Sequence, residues 1–168
     1  MATALYYLHD SLAPEPNRKP RFGVGVVISA DHKVLLEHRQ DNFMWGIVSG
    51  DIHADETFRQ CAARKTFDET GIHVSEAQLR DLRMFDDPTR IVSFVEGNIY
   101  RIVSMGYYVD LFTAPETVCG DESIELCWVP IEELYRYDIV AVHRDILEEY
   151  CRMKGYQVRL KSRIYQSF

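Results

Sequence analysis

The sequence is poor in basic residues, and this deficit limits the partners that it can bind. It holds 19 lysines and arginines against 26 aspartates and glutamates, which gives a formal net charge of −7. A nucleic-acid groove needs a basic surface to neutralise phosphates. The charge balance therefore argues against nucleic-acid binding. A small anionic ligand remains compatible with it, because a local metal site can reverse the local field.

Paired cysteines and long apolar runs are also missing. The four cysteines are scattered, with no CxxC pair and no clustered histidines to suggest a zinc site. We expect them to be free thiols of a reducing compartment. No stretch approaches the roughly 20 apolar residues of a membrane span, and Met1–Pro16 lacks a basic segment followed by an apolar run. We therefore expect no membrane partner and a cytoplasmic location.

The length favours one domain. A chain of 168 residues with 46% hydrophobic residues can fill one core and is too short for two ordinary domains. We assign 1–168 to a single domain, in which 1–20 is an N-terminal lead-in and 155–168 is a basic tail. The tail alternates basic residues, including Arg159 and Arg163, with apolar ones. This pattern is compatible with an edge strand or with a partner contact, for example in a homodimer.

Hydrophobic patterns predict strands on both sides of a helix. The predicted strands are Phe22–Ser29, Val34–Leu36, Ile99–Phe112 and Glu125–Pro130. Glu56–Thr70 lacks proline and glycine and has apolar residues at three- and four-residue spacings, so we expect a helix that ends before Gly71. Ile131–Met153 predicts one or two further helices, broken near Asp138, that cover a sheet face. The fold class is therefore α+β with a mixed sheet.

The segment Gly50–Ile72, GDIHADETFRQCAARKTFDETGI, carries the chemistry. Seven of its positions match the spacing of the Nudix box: Gly50, Glu56, Arg64, Asp68, Glu69, Gly71 and Ile72. At average usage of about 5–10% per residue type, such agreement arises by chance on the order of once in 10⁷ starts. The chain therefore resembles the Nudix hydrolases, and flanking features extend the resemblance from Phe22 to Tyr150.

The resemblance implies a Nudix fold, with a mixed sheet between helices, and a Mg²⁺- or Mn²⁺-dependent hydrolase. Its substrate would be a nucleoside diphosphate linked to another moiety, such as a nucleotide sugar or a nucleoside triphosphate, cleaved at a pyrophosphate bond. Two alternatives stay open. One is glycosyl cleavage as in GDP-mannose mannosyl hydrolases, and the other is a catalytically impaired domain that senses a nucleotide.

Helix geometry explains how the box could act. Positions 65, 68 and 69 share one helix face, so Asp68 and Glu69 present carboxylate oxygens of the kind that Mg²⁺ prefers. Glu56 could provide a further metal ligand through water. Arg64 would orient a neighbouring carboxylate by bidentate hydrogen bonds, and Gly50 would allow a sharp turn ahead of the helix.

Lys65 departs from the family pattern, which usually has a glutamate there. A protonated lysine cannot bind Mg²⁺, and we expect it to form an exposed pair with Asp68 or Glu69, or to contact a substrate phosphate. The catalytic base could then come from a loop acid, Asp121 or Glu122.

These arguments yield three groups of candidate residues. The catalytic candidates are Arg64, Glu69 and Glu122, the metal ligands are Glu56, Asp68 and Glu69, and the substrate-binding residues are Arg39, Gly50, Lys65 and Arg90. For Arg90 a turn at Asp86–Arg90 is the simpler interpretation. For His143 a structural role is favoured over a catalytic one, because no partner is evident.

Overall fold

The computed structural model describes residues 1–162 and 164–168. Its strands are β1 (Ala4–Tyr7), β2 (Arg21–Ala30), β3 (Lys33–Arg39), β4 (Trp45–Gly46), β5 (Val48–Asp51), β6 (Arg80–Phe85), β7 (Ile91–Phe94), β8 (Ile99–Leu111) and β9 (Ser123–Pro130). Its α-helices are α1 (Phe58–Thr70) and α2 (Ala141–Lys154), and short 3₁₀ helices span Glu76–Gln78 and Ile131–Arg136. Across the described residues, no helix has the length and apolar character needed to cross a bilayer.

Strand β2 lies at the centre of the sheet. It pairs in parallel with β8 and antiparallel with β3 and β5. From β8 the sheet continues antiparallel to β6 and β7, and from β7 to β1, while β9 pairs with β3 on the other side. Parallel and antiparallel neighbours occur together, so the predicted mixed sheet is confirmed.

The two faces of β2 serve two cores, because successive side chains of a strand point in opposite directions. Val24 and Val26 pack with Cys61 of α1 on one face. Val27 packs with Ile146 of α2 on the other. The sheet is thus covered by one helix on each face, as the α+β prediction required.

Helix α1 is delimited by its caps. Thr57 accepts a hydrogen bond from the N–H of Gln60, and the Gln60 side chain accepts one from the N–H of Thr57, which completes a capping box. At the other end Gly71 adopts a left-handed φ of 73° and donates to Phe67 O. The predicted helix is confirmed, with its first turn starting at Phe58 instead of Glu56.

Two sequence predictions for the C-terminal part, the helix break near Asp138 and the conformation of the tail, can be compared with the structure. The helical segment is interrupted between Arg136 and Ala141, around the predicted break at Asp138. Residues 156–162 and 164–168 form no strand. Instead Tyr156 and Leu160 pack against the core beneath α2, so an edge strand does not form there. Arg163 lies outside the described residues.

Strand β1 was not predicted. It lies within the lead-in 1–20 and pairs with β7, with Ala4 opposite Phe94. Its four residues carry too short a pattern to predict a strand, since the partner strand lies far away in the sequence. The pairing brings Tyr6 to the side of the cleft described below.

Candidate active site

Arg64 of α1 holds the carboxylate of Glu56. Its Nε and Nη2 donate to the two carboxylate oxygens at 3.0 and 2.6 Å, and Nη2 also donates to Asp51 O at 3.2 Å. The hydrogen bonds from Arg64 lower the pKa of Glu56 to about 2. Arg64 was predicted to orient a neighbouring carboxylate, and the geometry identifies Glu56 as that group. Asp68 approaches the same guanidinium at 3.5 Å.

Lys65 pairs with Glu69, and the pair is buried. Nζ lies 3.0 Å from Glu69 Oε1, and the two residues are 9% and 3% exposed. Burial alone would lower the pKa of Lys65, but Glu69 and Glu122 outweigh it and raise the pKa above its usual value. The sequence offered Asp68 or Glu69 as an exposed partner. The exposed pair was wrong, because α1 turns this face toward β5 and the cleft wall.

A buried acid that sequence reasoning missed lies behind this pair. Glu37 of β3 is 4% exposed, accepts a hydrogen bond from Ser123 Oγ at 2.9 Å and lies 3.4 Å from Arg39. Burial raises the pKa of both Glu37 and Glu69, and for Glu69 the charge of Glu37 raises it further. The available signal was a single acid directly after the apolar run Val34–Leu36.

The loop before β9 brings Glu122 to the same place. Val118 and Gly120 donate their N–H groups to the carbonyls of Thr70 and Glu69 at 2.8 and 3.1 Å, which attaches the loop to the end of α1. Glu122 Oε2 then lies 3.4 Å from Lys65 Nζ. The loop acid proposed from its sequence position is therefore adjacent to the box.

Gly120 makes this attachment possible, so Gly120→Ala should separate loop and helix. An added Cβ would lie 2.6 Å from Asp68 O and 3.0 Å from Glu69 Cα, which are helix backbone atoms that cannot rotate away. We expect the free energy of unfolding in urea to fall by about 1–3 kcal/mol. The kcat of the hydrolysis expected from the sequence should fall about tenfold or more, because Glu122 would be displaced.

Gly97→Ala is the matched control. Gly97 has open space around it but a φ of 96°, so alanine there should reduce stability through backbone strain and leave kcat unchanged. Wild-type stability and turnover in Gly120→Ala would show that the loop does not depend on this close approach.

A cleft of about 870 Å³ lies beside these groups, and Glu37, Glu56 and Glu69 are not part of its lining. Of the predicted site residues, its lining includes Arg39, Gly50, Arg64, Lys65, Asp68, Arg90 and Glu122. Glu69 contacts the lining residue Lys65 instead of lining the cleft itself. The lining also includes Tyr6 and Phe94, from β1 and β7. The cleft therefore joins charged groups at the helix to aromatic groups at the outer strands.

Arg90 was predicted to bind substrate, and the structure places it in the cleft lining with its side chain buried. It is 0% exposed, its Nη1 contacts Asp145, and its Nη2 donates to Val142 O at 3.0 Å. A guanidinium so enclosed has no surface left for a ligand, so this geometry favours a structural role. Arg39, also predicted to bind substrate, keeps only 16% of its side chain exposed and donates to Asp41 at 2.7 Å.

His143 fits the structural role expected from the sequence. Its Nδ1 accepts the N–H of Ile47 at 3.0 Å, and the residue is 5% exposed. Burial holds its pKa well below the usual value. The ring is therefore neutral at physiological pH and ties α2 to the segment between β4 and β5.

Comparison with known proteins identifies the family. A model of the NUDIX domain matches residues 19–150. The chain belongs to the Nudix family. A MutT-like protein of Streptomyces ambofaciens is 30% identical over 118 residues, which cover 67% of this chain and 75% of that protein.

Two solved structures share the Nudix fold. The Nudix domain of Shewanella oneidensis NrtR, complexed with ADP ribose, superimposes with a TM-score of 0.68 at 18% identity, covering 82% of this chain and 90% of that one. A bifunctional NMN adenylyltransferase/ADP ribose pyrophosphatase of Francisella tularensis, complexed with AMP and a Mn ion, gives a TM-score of 0.65 at 18% identity. It covers 83% of this chain and 43% of the other. At this level of identity the likeness shows a common fold and nothing more.

The donors predicted to bind Mg²⁺ or Mn²⁺ do not form a common set in this Nudix chain. Within the described ranges, 1–162 and 164–168, no group of three or more histidines, cysteines or acids is arranged to hold a metal ion. Each predicted ligand faces a cationic side chain instead: Arg64 contacts Glu56 and Asp68, and Lys65 contacts Glu69. The set Glu56, Asp68 and Glu69 therefore does not fit a shared metal ion in this arrangement.

Proposed function

We propose that the chain hydrolyses a nucleoside diphosphate derivative at a pyrophosphate bond. The observation that carries this proposal is the juxtaposition of Lys65, Gly50 and Glu122 in the cleft beside the Nudix helix. A pyrophosphate needs cationic groups to neutralise its charge and an acceptor for the proton of the attacking water. The cleft holds both kinds of group within one hydrogen-bond distance of each other.

Each residue has a role in this proposal. Lys65 contacts a phosphate oxygen as a point charge, and Arg39 adds positive potential from the same cleft. Glu122, whose side chain is 74% exposed, accepts a proton from water. The water oxygen bonds to phosphorus as the bridging P–O bond breaks, and the leaving phosphate carries the electron pair. Glu69 positions Lys65, and Arg64 positions Glu56 at the entry to α1.

A ligand bound to a structurally similar domain supports the substrate class. The NrtR domain binds ADP ribose, which is a nucleoside diphosphate linked to a second sugar. Tyr6 and Phe94 line the same cleft, and aromatic rings of this kind stack on bases and sugars. Dependence on Mg²⁺ or Mn²⁺ stays a prediction from the family resemblance.

A substrate panel in H₂¹⁸O tests the proposal. We expect turnover of one class of nucleoside diphosphate derivative, with ¹⁸O in a phosphate product by mass spectrometry. Label in the released sugar would instead show glycosyl cleavage as in GDP-mannose mannosyl hydrolases. Thermal stabilisation by a nucleotide, without turnover at any Mg²⁺ or Mn²⁺ concentration tested, would support a nucleotide sensor and contradict the proposal.

Three further features belong to the same proposal. We treat 1–168 as a single Nudix domain, with 1–20 and 155–168 as its lead-in and tail. A cytoplasmic location and a homodimer stay predictions from the sequence. Tyr156 and Leu160 pack against the core of their own chain, which supports assigning the tail to this domain instead of to a contact with a partner.

A further inference from the structure

The ammonium of Lys65 lies between two carboxylates from different segments. Nζ is 3.0 Å from Glu69 Oε1 on α1 and 3.4 Å from Glu122 Oε2 in the loop before β9. An external cation that bound these two carboxylates together would need the space that the ammonium occupies. The position is thus already filled by a charge of the chain itself.

The lysine stem is held along a defined path. A Cβ on Gly50 would lie 2.3 Å from Lys65 Cε and 2.6 Å from Cδ, so the stem lies directly against the glycine backbone. Only 11% of the Lys65 side chain is exposed. Withdrawing the ammonium would leave Glu69 buried without its cation, which is strongly unfavourable. Lys65 therefore stays in place in the absence of a ligand.

We propose that Lys65 is a resident cation that excludes divalent metal ions from the position between Glu69 and Glu122 in the free protein. A divalent ion there would meet repulsion from the ammonium and carboxylates whose charge is already balanced. Arg64 has the same effect on Glu56 and Asp68, so each of the acids Glu56, Asp68 and Glu69 already has a cationic partner. The inference does not rest on the proposed function, because it concerns the protein without nucleotide.

Titration with Mn²⁺ alone, followed by electron paramagnetic resonance of the free ion, tests the proposal. We expect wild type to show no saturable binding below about 1 mM. Lys65→Met removes the ammonium and should tighten binding about tenfold. Lys65→Glu adds a carboxylate between two others and should tighten it about 100-fold, because affinity rises with the charge of the ligand set.

Two controls separate this position from overall charge. Lys33→Glu makes the same change in net charge at an exposed site on β3 and should leave Mn²⁺ affinity as in wild type. Glu69→Gln in the Lys65→Glu background should remove most of the gain. Circular dichroism checks folding, and Lys65→Met decides the question if Lys65→Glu does not fold.

Two results would overturn the proposal. One is micromolar Mn²⁺ binding by wild type that Glu69→Gln abolishes. The other is a folded Lys65→Met that binds Mn²⁺ no more tightly than wild type. Absence of hydrolysis in the substrate panel would contradict the proposed function and leave these binding results intact.

Discussion

Replacing Arg90 with methionine is expected to lower the free energy of unfolding by about 3–5 kcal/mol, because it leaves a buried carboxylate without its cation. Asp145 keeps only 15% of its side chain exposed and faces a guanidinium with no exposed surface. Burial already raises the pKa of Asp145, and Arg90 opposes that rise. For a chain of this size the loss corresponds to a fall in Tm of roughly 6–20 °C, measured by thermal or urea unfolding.

The double variant Arg90→Met/Asp145→Leu is the matched control, since it removes both charges and should recover most of the loss. The deficit of the single variant should also shrink as pH falls toward the ordinary aspartate pKa of about 3.9. The folded Asp145 has a raised pKa, so its penalty is present above that pH and disappears once both states are protonated. An unchanged Tm with a raised KM would instead support the substrate-binding role predicted from the sequence.

The regular elements were predictable because their patterns are local. Phe22–Ser29 is rich in β-branched residues and bounded by turn residues. Glu56–Thr70 keeps helical spacing up to Gly71, and glycine is the residue that the left-handed cap at a helix end favours. Strand β1 was not predictable in the same way. Its four residues form a strand because β7, almost ninety residues later, supplies the backbone partners.

In the candidate site, too, features set by local spacing could be predicted, and features set by tertiary packing could not. The spacing of the box predicted that positions 65, 68 and 69 share one helix face, but helix geometry allows both the i+3 and the i+4 partner for Lys65. Burial selected Glu69, and burial depends on how α1 lies on β5. Glu37 lies on β3, so the effect of its charge on Glu69 depends on how the sheet places that strand relative to α1. The sequence named Asp68, Glu69 and Glu122 as candidate acids, but it missed Glu37 because that residue lies outside the box on a distant strand.

Glu122→Gln is expected to lower kcat by about 10²- to 10⁴-fold, the usual contribution of a general base. The amide keeps the size of the side chain and loses the ability to take a proton from water. Because 74% of the Glu122 side chain is exposed, stability should change by less than about 0.5 kcal/mol. Glu69 still holds Lys65 at 3.0 Å, so the phosphate-binding charge remains and KM should change little.

Asp121→Asn distinguishes proton transfer from simple loss of negative charge. Asp121 lines the same cleft one residue earlier, so its neutralisation alters the field by a similar amount without removing the acceptor next to Lys65. We expect kcat of Asp121→Asn to stay near wild type, and Glu122→Asp to retain part of the activity. Equal losses in Asp121→Asn and Glu122→Gln would point to a field effect. Wild-type turnover in Glu122→Gln would place the base elsewhere, with Glu69 as the remaining acid beside Lys65.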